Sequence, residues 1–198
     1  MYSVPPYEFI IQGVTMILQN EICHIEINID ETYTVGSADN RHYDATLNPR
    51  DYRHNDLSKT LAIHISLYSK EYQIALIGPY HSYDSDCAVL EDDILTVLQD
   101  DMITQIKITN TSIIRHVLLN CFGCNFAIYK FKNGYIIHGE IEIIMLNFDL
   151  IKQWSFSGRD IFVTISNKEP FTIRENSICL YDFEDNYYEI DFDGNQLI

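Results

Sequence analysis

The segment Ile22-Cys23-His24-Ile25-Glu26-Ile27-Asn28-Ile29 sets the pattern of this chain: apolar side chains recur at every second position. Successive side chains of a strand point to opposite faces, so the segment predicts a strand with one buried face. Leu61 to Leu67 repeats the pattern, with Leu61, Ile63, Ile65 and Leu67 on one face and Ala62, His64 and Ser66 on the other. A turn at Ser69-Lys70-Glu71 leads into a return strand, Tyr72 to Ile77, which Gly78-Pro79 ends. Residues 39–58 break the alternation: they are polar, contain Pro49 and carry Arg41, His42, Arg50, Arg53 and His54. They read as a long loop around Tyr43 and Tyr52, and a loop of that length is either functional or disordered. Only Asn48 to Leu57 and Asp149 to Trp154 offer helical candidates, and both are short.

From Cys87 onward the strands fall into units of four. The first holds Cys87 to Leu90, Ile94 to Leu98, Met102 to Ile108 and Ser112 to Leu118, with turns at Glu91-Asp92-Asp93 and Asp100-Asp101. The second holds Asn125 to Phe131, Tyr135 to Gly139, Ile141 to Leu146 and Lys152 to Phe156. Its Lys132-Asn133-Gly134 predicts a hairpin turn, because Asn-Gly supplies the positive φ angles of a type I′ turn. The third holds Ile161 to Ile165, Phe171 to Arg174, Ile178 to Phe183 and Tyr187 to Phe192, with turns at Glu184-Asp185-Asn186 and Asp193-Gly194-Asn195. Four short strands at a period just under forty residues is the pattern of propeller blades.

In the middle unit, Gly134-Tyr135-Ile136-Ile137, Leu146-Asn147-Phe148-Asp149 and Gln153-Trp154-Ser155-Phe156 resemble the repeats of quinoprotein-type and WD-like propellers. The resemblance covers about residues 87–198, is architectural, and implies no cofactor. The first unit lacks the Trp and has His116 nearby, and the third has Tyr-rich strands instead. Three units, or four counting Thr60 to Gly78, do not easily close a ring, which usually takes about 4–8 blades. The prediction is therefore an all-β single domain over residues 1–198, made of antiparallel four-stranded repeat units in an open or incomplete propeller-like stack. Residues 1–59 supply N-terminal strands and the polar loop 39–58, and residues 60–198 supply the repeated hairpin units. A β-sandwich or flattened barrel is the alternative.

Charge narrows the partners. Twenty-nine acidic residues against thirteen basic ones leave a formal charge of −16. That charge keeps a protein soluble, repels phosphate backbones and suits a basic partner, so no nucleic acid is expected. The N-terminal stretch has no basic and apolar leader pattern, and no apolar run approaches the about 20 residues that span a bilayer, so no membrane association is expected. Five scattered cysteines read as reduced thiols of a cytoplasmic protein.

Four clusters carry candidate chemistry. His81 with Asp84 or Asp86 offers a base and its orienter beside Cys87 as nucleophile, or oxygen ligands for a cation; the bland reading is a solvated loop before a buried Cys. Cys121-Phe122-Gly123-Cys124 is half of a zinc site or a redox pair, but it sits between strands, and a tight turn with packed thiols is the commoner outcome. A zinc site would require Cys87, Cys179, His116 or His138 to converge on it. Arg159 next to Asp160 reads as a ligand-reading pair or a fastener between units. Asp182, Glu184 and Asp185, interleaved with Tyr187 and Tyr188, offer negative charge beside aromatic anchors; alternation alone, aromatics in and carboxylates out, explains the same pattern.

No complete catalytic or cofactor signature emerges. The expectation is a non-enzymatic cytoplasmic interaction protein, without cofactor, that binds a basic protein partner through Asp182, Glu184, Asp185, Tyr187, Tyr188 and Arg159. An immunity or inhibitor protein is its concrete form. The alternatives are a metal-dependent hydrolase or lyase using His81, Asp84 and Asp86, and a small-molecule sensor built on Tyr80, His81, Tyr83 and Arg159.

Overall fold

The computed structural model describes residues 16–81 and 86–198. Among them, sixteen strands form four sheets. The first sheet contains β1 (Met16–Gln19), β2 (Cys23–Ile29), β3 (Ala45–Leu47), β4 (Ser58–Leu67) and β5 (Lys70–Pro79) in the order β1-β2-β4-β5-β3. Pairing of β2 with β4, from Cys23 opposite Leu67 to Ile29 opposite Leu61, carries this sheet across residue 60. The polar loop is not wholly irregular either: β3 pairs parallel with β5, Ala45 opposite Ile74.

Each later sheet is an antiparallel meander of consecutive strands. The second runs β6 (Ala88–Glu91), β7 (Ile94–Gln99), β8 (Met102–Lys107), β9 (Ser112–Leu118). The third runs β10 (Asn125–Phe131), β11 (Gly134–Gly139), β12 (Glu142–Asn147), β13 (Lys152–Ser157). The last contains only β14 (Phe171–Ile173), β15 (Ile178–Tyr181) and β16 (Tyr187–Ile190).

The missing fourth strand corrects the sequence reading of Ile161 to Ile165. Phe162 is fully buried beside Phe156 and Tyr188, its N–H donates to the Glu140 carbonyl at 2.6 Å, and Ile165 is 81% exposed. One aromatic plug, rather than an alternating face, is what the core takes from this segment. The Thr164 hydroxyl then donates to the Lys168 carbonyl, closing a loop before Pro170. No helix occurs among the described residues. Residues 152–154 open β13, and the Asn48 side chain clamps the Tyr52 N–H and carbonyl, holding residues 48–52 in a turn instead of a helix.

The two-residue hairpin turns follow one recipe. Tyr68, Asp92, Asp100 and Lys132 each begin a two-residue turn with positive φ. The expected Asn-Gly turn therefore sits one residue early: Lys132 has φ 38°, and Gly134 already pairs with Phe131. Gly134 is required for a different reason. A Cβ there would lie 1.8 Å from the Leu146 carbonyl oxygen of β12. Likewise the β4–β5 hairpin turns at Tyr68-Ser69, since Leu67 pairs with Lys70.

Three apolar cores lie between the sheets in series. The first joins Ile25, Ile63, Ile65 and Leu76 of the first sheet to Leu95, Val97 and Ile106 of the second. Another joins Leu98 and Ile103 to Tyr135, Ile137 and Ile144 of the third. The last joins Ile136, Ile143 and Met145 to Phe171, Leu180 and Tyr188. Middle sheets are thus covered on both faces, which is why β8 and β11 are almost continuously buried while edge strands β9 and β13 alternate. Each fully buried Ile or Leu stabilises the stack by about 1.5–3 kcal/mol. Among the described residues no apolar core joins the last sheet to the first. The fold is an open, propeller-like stack, not a sandwich or a barrel.

Candidate functional site

The sequence pointed to the loop after β5. Of that loop, Tyr83 and Asp84 lie outside the described residues. Cys87 is buried in the first core, where no substrate reaches its sulfur. Asp86 is exposed, and its carbonyl accepts from the Ile128 N–H at 2.8 Å, tying the loop to the third sheet. His81 meets Asp100 and Cys124: one ligating atom from each lies within 4.8 Å of the other two. All three side chains are half-buried.

Each arrives from a different element. His81 follows the end of β5, Asp100 opens the two-residue turn between β7 and β8, and Cys124 immediately precedes β10. The Asn125 N–H donates to Asp100 Oδ1 at 3.2 Å, and the Cys124 N–H donates to Glu140 Oε2 at 3.2 Å. Gly123 makes the approach possible with φ +74°; a Cβ there would meet Glu140 Oε2 at 2.8 Å. Cys121 stands apart from the cluster, its sulfur accepting from Asn125 Nδ2 at 3.1 Å and donating to the Leu119 carbonyl.

Both thiols are held above their ordinary range. For Cys121 the cause is burial first, with Glu142, Asp100 and Asp101 adding to it. For Cys124 it is burial, then the charges of Asp100 and Glu140. A redox Cys-x-x-Cys pair requires a depressed thiol, so the surroundings oppose that chemistry. The other groups considered as its partners are placed elsewhere. Cys179 is buried in β15, His116 is exposed on β9, and His138 is buried between the third sheet and Phe171.

The C-terminal acidic cluster splits in two. Asp182 is fully buried and Tyr188 nearly so. The Asp182 carboxylate accepts the N–H groups of Glu184 and Asn186, the Asn186 side chain and the Tyr188 hydroxyl at 2.7–3.1 Å. Burial acts to raise its pKa, but these hydrogen bonds win and hold the carboxyl below the usual range. These two residues therefore build the turn between β15 and β16 and do not face solvent. What that turn presents is Phe183, Glu184 and Asp185, all exposed. Tyr187 is half-buried and donates to Glu189 at 2.9 Å. Arg159 is exposed beside a shallow depression formed with Ile141, Gly158, Asp160 and Ile161. Asp160 turns onto the Ile161 N–H at 2.8 Å.

No protein-family model matches this chain, and no curated protein does. Among solved structures it is similar to Hsv2 of Kluyvelomyces marxianus, at 5% identity and a TM-score of 0.43, over 76% of this chain and 48% of that one. It is also similar to BamB from Moraxella catarrhalis, at 10% identity and a TM-score of 0.47, over 95% of this chain and 61% of that one. The chain thus spans less than two thirds of either structure. Its propeller-like architecture is carried by its own sheets. No helix of the described residues is long and apolar enough to cross a membrane.

Proposed function

We propose that this protein is a non-enzymatic interaction protein of the cytoplasm that binds a basic protein partner through the turn between β15 and β16. The carrying observation is how its charge is disposed. Among the described residues seven cationic side chains, Arg41, Arg50, Lys107, Arg115, Lys130, Lys152 and Lys168, are engaged in ion pairs with the protein's own carboxylates. The acidic surplus is left to solvent, where Glu169, Glu175, Glu184 and Asp193 are exposed, as is Asp185 beside its partner Lys168. Phe183 adds an exposed aromatic between Asp182 and Glu184, the kind of anchor that gains energy when a partner desolvates it. Complementary charge speeds association and rejects acidic competitors. An immunity or inhibitor protein for a basic effector is the concrete form of this reading.

The test is a pull-down from the native host with wild type and the pair Glu184→Lys, Asp185→Lys. Wild type is expected to retain a basic protein that high salt releases, and the charge-reversed pair is expected to lose it. Recovery of no partner, or equal recovery by both, sinks the reading. Asp182 is unsuitable for this test, because its loss would melt the turn itself.

A further inference from the structure

The geometry points to a zinc-class metal site formed by His81, Asp100 and Cys124, an imidazole, a carboxylate and a thiolate brought from three separate elements to within 4.8 Å of one another. It departs from the sequence expectation of no cofactor and does not depend on the interaction reading.

The donor set selects the ion. A nitrogen, an oxygen and a sulfur ligand together suit a borderline-soft cation such as Zn²⁺, whereas Mg²⁺ and Ca²⁺ demand oxygen alone. Ligands at about 2.0–2.3 Å from a tetrahedral centre sit about 3.3–3.8 Å apart, so closure of roughly 1 Å completes the shell. Half-buried side chains manage this by small rotations while leaving the ion a route from solvent. Three protein ligands leave a fourth position for water.

Outer contacts already orient the set. Glu140 holds the Cys124 backbone through its N–H, and Asn125 holds Asp100 Oδ1, so two of the three ligands are fixed from behind. Binding replaces the Cys124 S–H bond by a sulfur–metal bond and releases that proton to solvent, so affinity rises with pH. The ion would pin the exit of the first sheet to the β7–β8 turn and to the entrance of β10, adding to the Asn125–Asp100 hydrogen bond that already joins the last two. A ligand held only by the folded state stabilises it.

The test is titration of the full-length protein with Co²⁺, then Zn²⁺ competition. One equivalent of Co²⁺ is expected to give a near-ultraviolet thiolate-to-cobalt charge-transfer band and the strong visible bands of a four-coordinate ion, both removed by Zn²⁺. Cys124→Ser should abolish the charge-transfer band while Cys121→Ser retains it. His81→Ala and Asp100→Asn should each weaken binding about tenfold or more. Circular dichroism confirms that each variant is folded, and Zn²⁺ should raise the wild-type melting temperature. Three outcomes overturn the proposal. They are no charge-transfer band at one equivalent, loss of the band in Cys121→Ser with His81→Ala unchanged, and weak six-coordinate binding insensitive to Cys124→Ser.

Discussion

The Tyr135 hydroxyl, on β11, donates to Glu91 Oε1 of the preceding sheet at 2.7 Å. Thr96 Oγ1 and Gln105 Nε2 of that same sheet lie 3.2 and 3.3 Å from the Tyr135 hydroxyl oxygen. Burial, reinforced by the Glu91 charge, pushes this phenol up to about 12, so it remains a donor throughout the working range. Lys130 pairs with Glu91 at 2.6 Å from the other side. Two sheets are thereby registered by polar contacts inside an otherwise apolar interface. Tyr135→Phe should cost about 1–2 kcal/mol, because the buried partners lose their hydrogen bonds while the ring still fills its place. Urea unfolding checks this through the midpoint at unchanged slope. Adding Glu91→Gln should cost less than the sum of the two single effects; strict additivity would mean the pair is not coupled.

A second prediction concerns acid. His138 is stacked on Phe171 at 4.7 Å, edge-on to Phe126, and its Nε2–H donates to the Phe162 carbonyl at 3.3 Å. Burial lowers its pKa from 6.5 to about 4, against a small opposing effect of that hydrogen bond. The unfolded chain therefore binds this proton more readily than the folded one. Stability from this group is complete above about pH 6.5, declines as pH falls toward 4, and levels off below. The full loss is about 3 kcal/mol at most. His138→Phe should flatten this part of the profile, measured as the urea midpoint from about pH 7 down to about pH 4. Parallel profiles for variant and wild type would refute the assignment.

Gly134 gives the third. Because β12 passes so close that a Cβ would sit 1.8 Å from the Leu146 oxygen, no rotamer can relieve Gly134→Ala. Only separation of β11 from β12 can, and those strands form the centre of the third sheet. The variant should lose about 3 kcal/mol or more, or fail to fold, a size that marks a backbone clash and not a mere change in chain entropy. A loss within about 1 kcal/mol, read in the same urea assay, would show that the strand can move aside.

Most of the strands were legible because alternation is a local signal. Strands β9 and β10 begin and end on the predicted residues, and β4, β7, β8 and β11 do so within three. Ile161 to Ile165 failed because its apolar residues satisfy the same period while only Phe162 is drawn into the core. The Asn-Gly turn failed because Gly134 answers to a neighbouring strand and not to its own hairpin. The acidic end was readable as composition, yet no pattern separates Asp182, buried and fully bonded, from the exposed Glu184 two residues on.

The sequence by itself determined the all-β class, the meandering units and the acidic surplus, since each depends on side chains within a few residues or on a sum over the chain. Tertiary structure alone decided that the sheets stack in series around three cores. It also decided that the last sheet keeps three strands, and that His81 faces Asp100 and Cys124 across 19 and 43 residues of chain. Those outcomes depend on which faces meet, and periodicity along a strand gives the face but not its partner.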